Sequence, residues 1–374
     1  MQNTDELAER IRHHLRVTDV TAVHGSTLLV LAIVLLPWTG VCVADEGSVT
    51  VTDAAGRLVE MPDVPERIVI AGKAVVMIID ALYLFRDVGP RVAAVGVTDQ
   101  GLGDFFPVLD PDPDRKIRLG KNAGPEEILA ARPDLVLLKS YMRESLGLPL
   151  EKIGVPVVYL DLETPEQFRR DMRILSGILR QEERAGEIEQ LFELRERRLE
   201  EAVGDAGEIG VAVLSFNRLG EGHSVSVSPE GWMQGEQVRL AGGEPVWYSA
   251  ASAPGWNRVQ FEQIAAWNPE AIILLSYRIP SGAALEEVLA DPLWRRLEAV
   301  KENRVYAMPA DFYSWGQPDP RWILGAEWMA AKLHPERFPG PFIERIRLFF
   351  REFYGLGDRT FETEIRPVLS GDIE

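Results

Sequence analysis

Basic and aromatic side chains recur just beyond apolar runs that read as strands. Lys73 follows the run at 67–71, and Lys139, Tyr141 and Arg143 follow 134–138. Arg218 follows 210–216, Tyr277 and Arg278 follow 271–275, and Tyr313 and Trp315 follow 304–308. Trp232 comes after a glycine-containing turn. Open α/β sheets bind ligands beyond the carboxyl ends of their strands. Cationic donors and flat apolar faces gathered there suit an anionic chelate or a conjugated ring, held by charge-assisted hydrogen bonds and stacking. A small oxyanion would rely more on backbone N–H groups at helix starts. Each of these residues taken alone also reads as packing or as a solvated charge. Their recurrence in a chain of net charge -18 points to a maintained positive cleft. All ten are therefore expected to contact ligand. Trp247 and Trp256 form a candidate lip, and His223 is a further candidate for the cleft. Trp267, Trp294, Trp322 and Trp328 read as core, and His334 as a helix-end residue.

Signatures of catalysis are mostly missing. The chain has no G-x-x-x-x-G-K-[ST] loop and no G-x-S-x-G elbow after a strand. Gly101 and Gly103 lack the third glycine of a dinucleotide fingerprint. There is one cysteine, Cys42, so no intramolecular disulfide can form. Of five histidines, His13, His14 and His24 lie near the N-terminus, and His223 and His334 are far apart in sequence. Asp110, Asp112 and Asp114 resemble the start of a calcium loop, but Arg115 and Lys121 stand where it needs Gly and Glu. No catalytic residue, metal site or cofactor is expected. Carboxylates are plentiful, so an extracytoplasmic two-domain α/β enzyme stays open as an alternative. The acidic balance argues against nucleic acid as a partner.

Alternation at 48–53, a turn at Ala55-Gly56 and a return at 57–61 read as a hairpin. Apolar strands at 67–71, 91–97, 134–138 and 156–160 then alternate with helices at 75–84, 125–131, 143–153 and 165–180. That is the pattern of parallel α/β layers. A long helix follows at 182–203, with Ala185, Ile188, Phe192, Leu199 and Val203 on one stripe. It would span about 33 Å. A second α/β unit comes next: strands at 210–216, 271–275 and 304–308, and helices at 231–240, 285–299, 322–333 and 342–354. PEEILAARPDLVLL in the first half is echoed by FEQIAAWNPEAIILL in the second, Glu126 and Glu262 each standing seven residues before a proline. The echo implies two lobes of one plan. The expected division is an N-terminal segment at 1–44, a first lobe at 45–180, a linking helix at 181–205 and a second lobe at 206–374.

The apolar run at 27–36 is too short for a comfortable membrane span and reads as a signal-peptide core. Cleavage after Ala44 would leave Asp45 as the first residue and place the protein outside the cytoplasm. Asp5, Glu6, Glu9 and Asp19 before the run are unlike a basic leader, as a wrongly assigned start codon would explain. A lipid-anchored Cys42 and an uncleaved anchor remain alternatives.

VTVTDAAGRLVEMPDVPERIVI at 49–70 resembles the opening of the class III periplasmic binding proteins that serve ABC importers of iron–siderophores, haem and vitamin B12. The two Glu-to-Pro segments resemble that family's repeated element, and WRRLEAVKENRVY at 294–306 its late segment. The resemblance covers about residues 48–370. It implies two Rossmann-like lobes joined by a single long α-helix, with the ligand cleft between the lobes. It also implies a monomer that delivers an iron chelate or a corrinoid to a membrane permease. A few similar proteins look to be molybdate or tungstate binders, which makes an oxyanion the main alternative ligand. In the family one exposed Glu on each lobe docks into permease arginines, and Glu126 and Glu262 match those positions, with Glu127 a near alternative. Each Glu also sits in a first helical turn, where the helix dipole alone favours a carboxylate.

Overall fold

Asp53 fixes the turn of the first hairpin among the described residues. In the computed structural model, which describes residues 47–98, 100–219, 222–251 and 253–373, β1 (Val49–Thr52) pairs antiparallel with β2 (Leu58–Met61). The carboxylate of Asp53 accepts from the backbone N–H groups of Ala55 and Arg57 at 3.0 Å each, and from Arg57 Nη2 at 2.6 Å. Gly56 supplies the left-handed conformation, φ 72°. The Arg57 guanidinium lies 4.4 Å over the Tyr159 ring, tying the hairpin to the sheet behind it. The apolar run at 27–36, Cys42 and the cleavage site at Ala44 lie outside the described residues.

The first sheet contains β3 (Ile68–Ile70), β4 (Val92–Gly96), β5 (Ile117–Leu119), β6 (Leu135–Lys139) and β7 (Val157–Leu160), all parallel, in the order β5-β4-β3-β6-β7. β3, β4, β6 and β7 are buried on both faces, whereas β5 at the edge is mostly exposed. Leu135 and Leu137 enter one apolar cluster, and Val136 and Leu138 enter another on the opposite side. That is why these strands read as continuous apolar runs rather than alternating ones. The helices that matter for the site are α1 (Val75–Leu82), α2 (Pro125–Ala130) and α3 (Pro165–Leu179). Thr164 caps α3 by accepting from Gln167 N at 3.2 Å.

The long helix α4 runs over Glu182–Val203, the span read from sequence. Its exposed face is charged, and Ile188, Phe192, Leu199 and Val203 are buried. Near its start, Arg184 donates to Leu84 O and Phe353 O, both at 2.9 Å. Arg195, further along, is buried and ion-paired to Glu327 and Glu352 at 2.9 Å each.

The second sheet is mixed. β8 (Ile209–Leu219), β9 (Gly222–Val227), β10 (Gly243–Pro245), β11 (Asn257–Val259), β12 (Ala271–Leu275) and β13 (Val305–Ala307) adopt the order β11-β9-β8-β12-β13, with β10 also beside β8. β8, β12 and β13 are parallel, whereas β9 is antiparallel to both β8 and β11. The expected helix at 285–299 is broken. α5 (Ser281–Ala290) stops before Pro292, and two short turns, Trp294–Arg296 and Glu298–Lys301, follow. Proline disfavours a helical residue before it, which explains the stop. α6 (Trp322–Leu333) and α7 (Ile343–Tyr354) close the chain.

Candidate functional site

The first sheet delivers four strand ends to one cleft. The order β5-β4-β3-β6-β7 reverses direction around β3, and such a switch point leaves a crevice at the carboxyl ends of the strands. Gly72 and Lys73 follow β3, Val97 and Thr98 follow β4, Lys121 and Asn122 follow β5, and Tyr141 follows β6. Together with Ala74, Gln100 and Arg278, the last from beyond β12 of the second sheet, they line a cleft of about 490 Å³. Gly72 turns the chain with φ 84°. Ala74 then starts α1, whose positive dipole end borders the cleft.

Basic side chains line the cleft. Lys73, Lys121 and Arg278 all face it, and its described lining residues include no carboxylate. Gln100 Oε1 is buried with no hydrogen-bond partner among the described residues. Tyr141 keeps 56% of its surface open, yet partial burial, with the Glu163 carboxylate adding, pushes its phenol up to about 12. It stays a neutral donor at pH 7. Burial and Glu163 raise Tyr277 as well.

Both lobes meet around this cleft. Gly101 N donates to Tyr277 O at 2.6 Å, Leu102 N to Phe312 O at 2.8 Å and Met233 N to Glu163 O at 3.0 Å. A side chain on Gly101 would place its Cβ 2.5 Å from Phe312 O. The close approach therefore needs the glycine, which also takes φ 108°. Trp232, Trp256 and Tyr277 form an edge-to-face series, with ring centroids 6.0 and 5.9 Å apart, beside Arg278.

Of the ten residues expected at the ligand, the structure brings Lys73, Tyr141 and Arg278 into the cleft. Tyr277 and Trp232 stand next to it in the aromatic series. Others have different surroundings. Lys139 is fully buried, with Nζ 2.7 Å from Glu163 Oε1 and donating to Asp161 O. Arg218 pairs with Glu287 of α5 at the tip of the β8–β9 hairpin. Arg143 begins a helical turn, Arg143–Gly147, with its Nε buried. Tyr313 and Trp315 expose no usable face. Trp315 is fully buried and donates from Nε1 to Asp311 at 3.1 Å, while the Tyr313 hydroxyl accepts from Phe105 N at 3.3 Å. Trp247 is likewise buried, donating to Ser228 O at 2.9 Å, so the lip is left to Trp256. His223 stacks on Phe216 at 4.8 Å. Sequence reasoning missed Lys121, Asn122, Thr98 and Gln100. Lys121 and Asn122 follow β5, a three-residue strand too short for its pattern to register, though they follow its end just as Lys73 follows β3.

Glu126 and Glu262 are both exposed, each in the first turn of a short helix: α2 for Glu126, Phe261–Trp267 for Glu262.

Known proteins are similar to this chain. Molybdate-binding protein MolA of Haemophilus influenzae is 26% identical over 329 residues, which cover 81% of this chain and 90% of that protein. The vitamin B12-binding protein of Pectobacterium carotovorum is 26% identical over 211 residues, 56% of this chain and 70% of that protein. A solved structure of MolA bound to molybdate superposes with a TM-score of 0.66 at 22% identity, covering 82% of this chain and 98% of that one; at that identity the likeness speaks for the fold. The sequence pattern of periplasmic binding proteins matches residues 68–312, well over half of the chain, and the chain belongs to that family of solute-binding, non-enzymatic proteins.

Proposed function

We propose that the protein captures a small oxyanion of the molybdate kind between its lobes, outside the cytoplasm, and hands it to the permease of an ABC importer. One observation carries this reading: three cationic side chains, Lys73, Lys121 and Arg278, converge on the cleft beside the start of α1. Charge-assisted hydrogen bonds from such groups are the strong ones, and a helix start adds N–H donors. The similarity to MolA over most of both chains supports the same ligand class. The burial of Trp315 and Tyr313 removes two stacking faces that a conjugated ring would need. Among the described residues no helix is long and apolar enough to cross a membrane.

Titration calorimetry with sodium molybdate, tungstate, sulfate and phosphate tests the assignment, with cyanocobalamin and a ferric siderophore as the competing arm. Tight binding of molybdate or tungstate with no heat from the large ligands is the expected result. Binding of cyanocobalamin alone would overturn it. The second reading, a metal chelate or corrinoid, is favoured by the half-exposed Trp232–Trp256–Tyr277 series beside Arg278, which offers aromatic surface that a bare oxyanion does not use. Trp256→Ala separates the two: it weakens a large flat ligand through lost stacking and leaves an oxyanion unaffected.

Docking on the permease is assigned to Glu126 and Glu262. They are exposed, one on each lobe and in equivalent helices, which is the arrangement that two-point electrostatic orientation requires.

A further inference from the structure

Three buried carboxylates meet one guanidinium where the lobes touch. Asp80 lies on α1; Asp311, Asp319 and Arg321 come from the segment leading into α6; none has any exposed surface. Arg321 Nε donates to both oxygens of Asp311 at 2.8 Å. Its Nη1 donates to Asp80 Oδ2 and stands 3.5 Å from Asp319 Oδ2. Asp311 is held further by Trp315 Nε1 at 3.1 Å and Phe312 N at 2.6 Å. By contrast, Asp80 Oδ1, Asp319 Oδ2 and Arg321 Nη2 have no hydrogen-bond partner among the described residues. Phe105, Tyr313 and Phe350 wall the guanidinium with rings at 4.4, 5.3 and 5.6 Å. The other titratable groups facing Asp80 are Tyr313, Tyr354, whose hydroxyl donates to Asp80 O at 3.4 Å, and Asp104, itself paired to Arg118 at 2.6 Å.

Three negative charges and one positive charge in an apolar shell are costly, and holding a proton reduces that cost. We propose that the Asp80–Asp311–Asp319–Arg321 cluster is a proton-linked latch between the lobes: its carboxylates keep a proton while buried together, and losing it loosens the grip of the second lobe on α1, the helix whose start borders the ligand cleft. The titration direction agrees. Burial outweighs the pull of Arg321 and raises Asp80 from 3.8 to about 7, with Asp311 and Asp104 adding to the rise. Burial also holds Asp319 well above its ordinary value. Opening the contact would return Asp80 to water and to its ordinary proton affinity. The closed contact is therefore favoured at low pH, and that advantage is lost as pH rises from about 4 to about 7, then stays constant.

Hydrogen exchange of the Val75–Leu82 amides at pH 6 and pH 8, corrected for intrinsic rates, tests the latch on the ligand-free protein and so independently of the ligand assignment. Linkage gives roughly tenfold less protection at pH 8 in the wild type. Asp80→Asn keeps an oxygen for Arg321 but cannot titrate, and equal protection at both pH values is expected. Equal protection in the wild type, or an unchanged pH step in Asp80→Asn, would overturn the proposal. If the variant does not fold, infrared difference spectra of the wild type decide. Burial also raises Asp171, outside the cluster, to about 6, so the spectra are taken on Asp171→Asn as well: a protonated-carboxyl C=O band present at pH 6, diminished at pH 8 and retained in Asp171→Asn supports the latch, and its absence there refutes it.

Discussion

Lys139 Nζ stands 2.7 Å from Glu163 Oε1, and the lysine has no exposed surface. A cation at the last residue of a strand thus serves the interior, bracing β6 against the segment after β7, while Tyr141, two residues on, lines the cleft. Removing one partner of a buried pair strands the other charge and costs about 3–5 kcal/mol. Glu163 retains 20% side-chain exposure, so about 2–3 kcal/mol is the better expectation for Lys139→Met. Urea denaturation should show that loss as a lower midpoint at unchanged slope.

The cleft cations should behave differently. Lys121→Ala and Arg278→Ala remove hydrogen bonds to a charged ligand, each worth about 1.5–3 kcal/mol, so each should weaken molybdate binding tenfold or more with little change in melting temperature. Trp315→Ala should do the reverse. Truncating a fully buried tryptophan costs about 3–5 kcal/mol, and it also leaves the Asp311 carboxylate short of a donor. Calorimetry and thermal melts on the three variants check both halves. A stability loss in Lys121→Ala as large as that in Trp315→Ala would remove Lys121 from the binding surface.

Strand order explains what the sequence could reveal. The parallel strands β3, β4, β6 and β7 and the helix Glu182–Val203 were legible because burial on both faces writes an apolar run and an amphipathic helix writes a stripe. The DAAGR turn was legible because its geometry needs those residue types: an Asp acceptor, a Gly at positive φ and an Arg donor. β9 was not, because 222–227 carries serines among its valines and pairs antiparallel in a sheet otherwise read as parallel. At the site, position after a strand identified Lys73, Tyr141 and Arg278. The same rule also gathered Lys139, Tyr313 and Trp315, since a side chain at a strand end can turn inward as readily as outward. Which way it turns depends on partners distant in sequence, Glu163 for Lys139 and Asp311 for Trp315.

The linking helix has its own buried pair. Arg195 is 4% exposed and Glu327 6%, and Glu352 shares the guanidinium. Arg195→Ala should cost about 3–5 kcal/mol and release α4 from α6 and α7. The double variant Arg195→Met with Glu327→Leu removes both charges and fills the space, and much of the loss should return. Chemical denaturation of the two variants and of Glu327→Leu alone gives the coupling. Additive losses would mean that the pair is not the element holding the helix.

Glu126 and Glu262 are expected to act only on the membrane partner. Both carboxylates are exposed, and neither belongs to the cleft lining. Charges at a rim steer encounter and fix orientation rather than hold the fold. Reversing either to Arg should therefore leave ligand affinity and melting temperature near wild type. On the permease side the substituted charge would face arginines, and like-charge juxtaposition disfavours the complex. Uptake should fall in each single variant and vanish in Glu126→Arg/Glu262→Arg, because one remaining contact leaves the two lobes free to pivot. The expected salt dependence follows: raising ionic strength screens an exposed pair within a Debye length of about 8–10 Å, so wild-type docking to reconstituted permease should weaken in salt and that of the double variant should not. Uptake assays in proteoliposomes, run beside calorimetry on the same protein, separate docking from binding. Normal uptake by the double variant would assign the permease contact to other residues, with Glu127 the first to test.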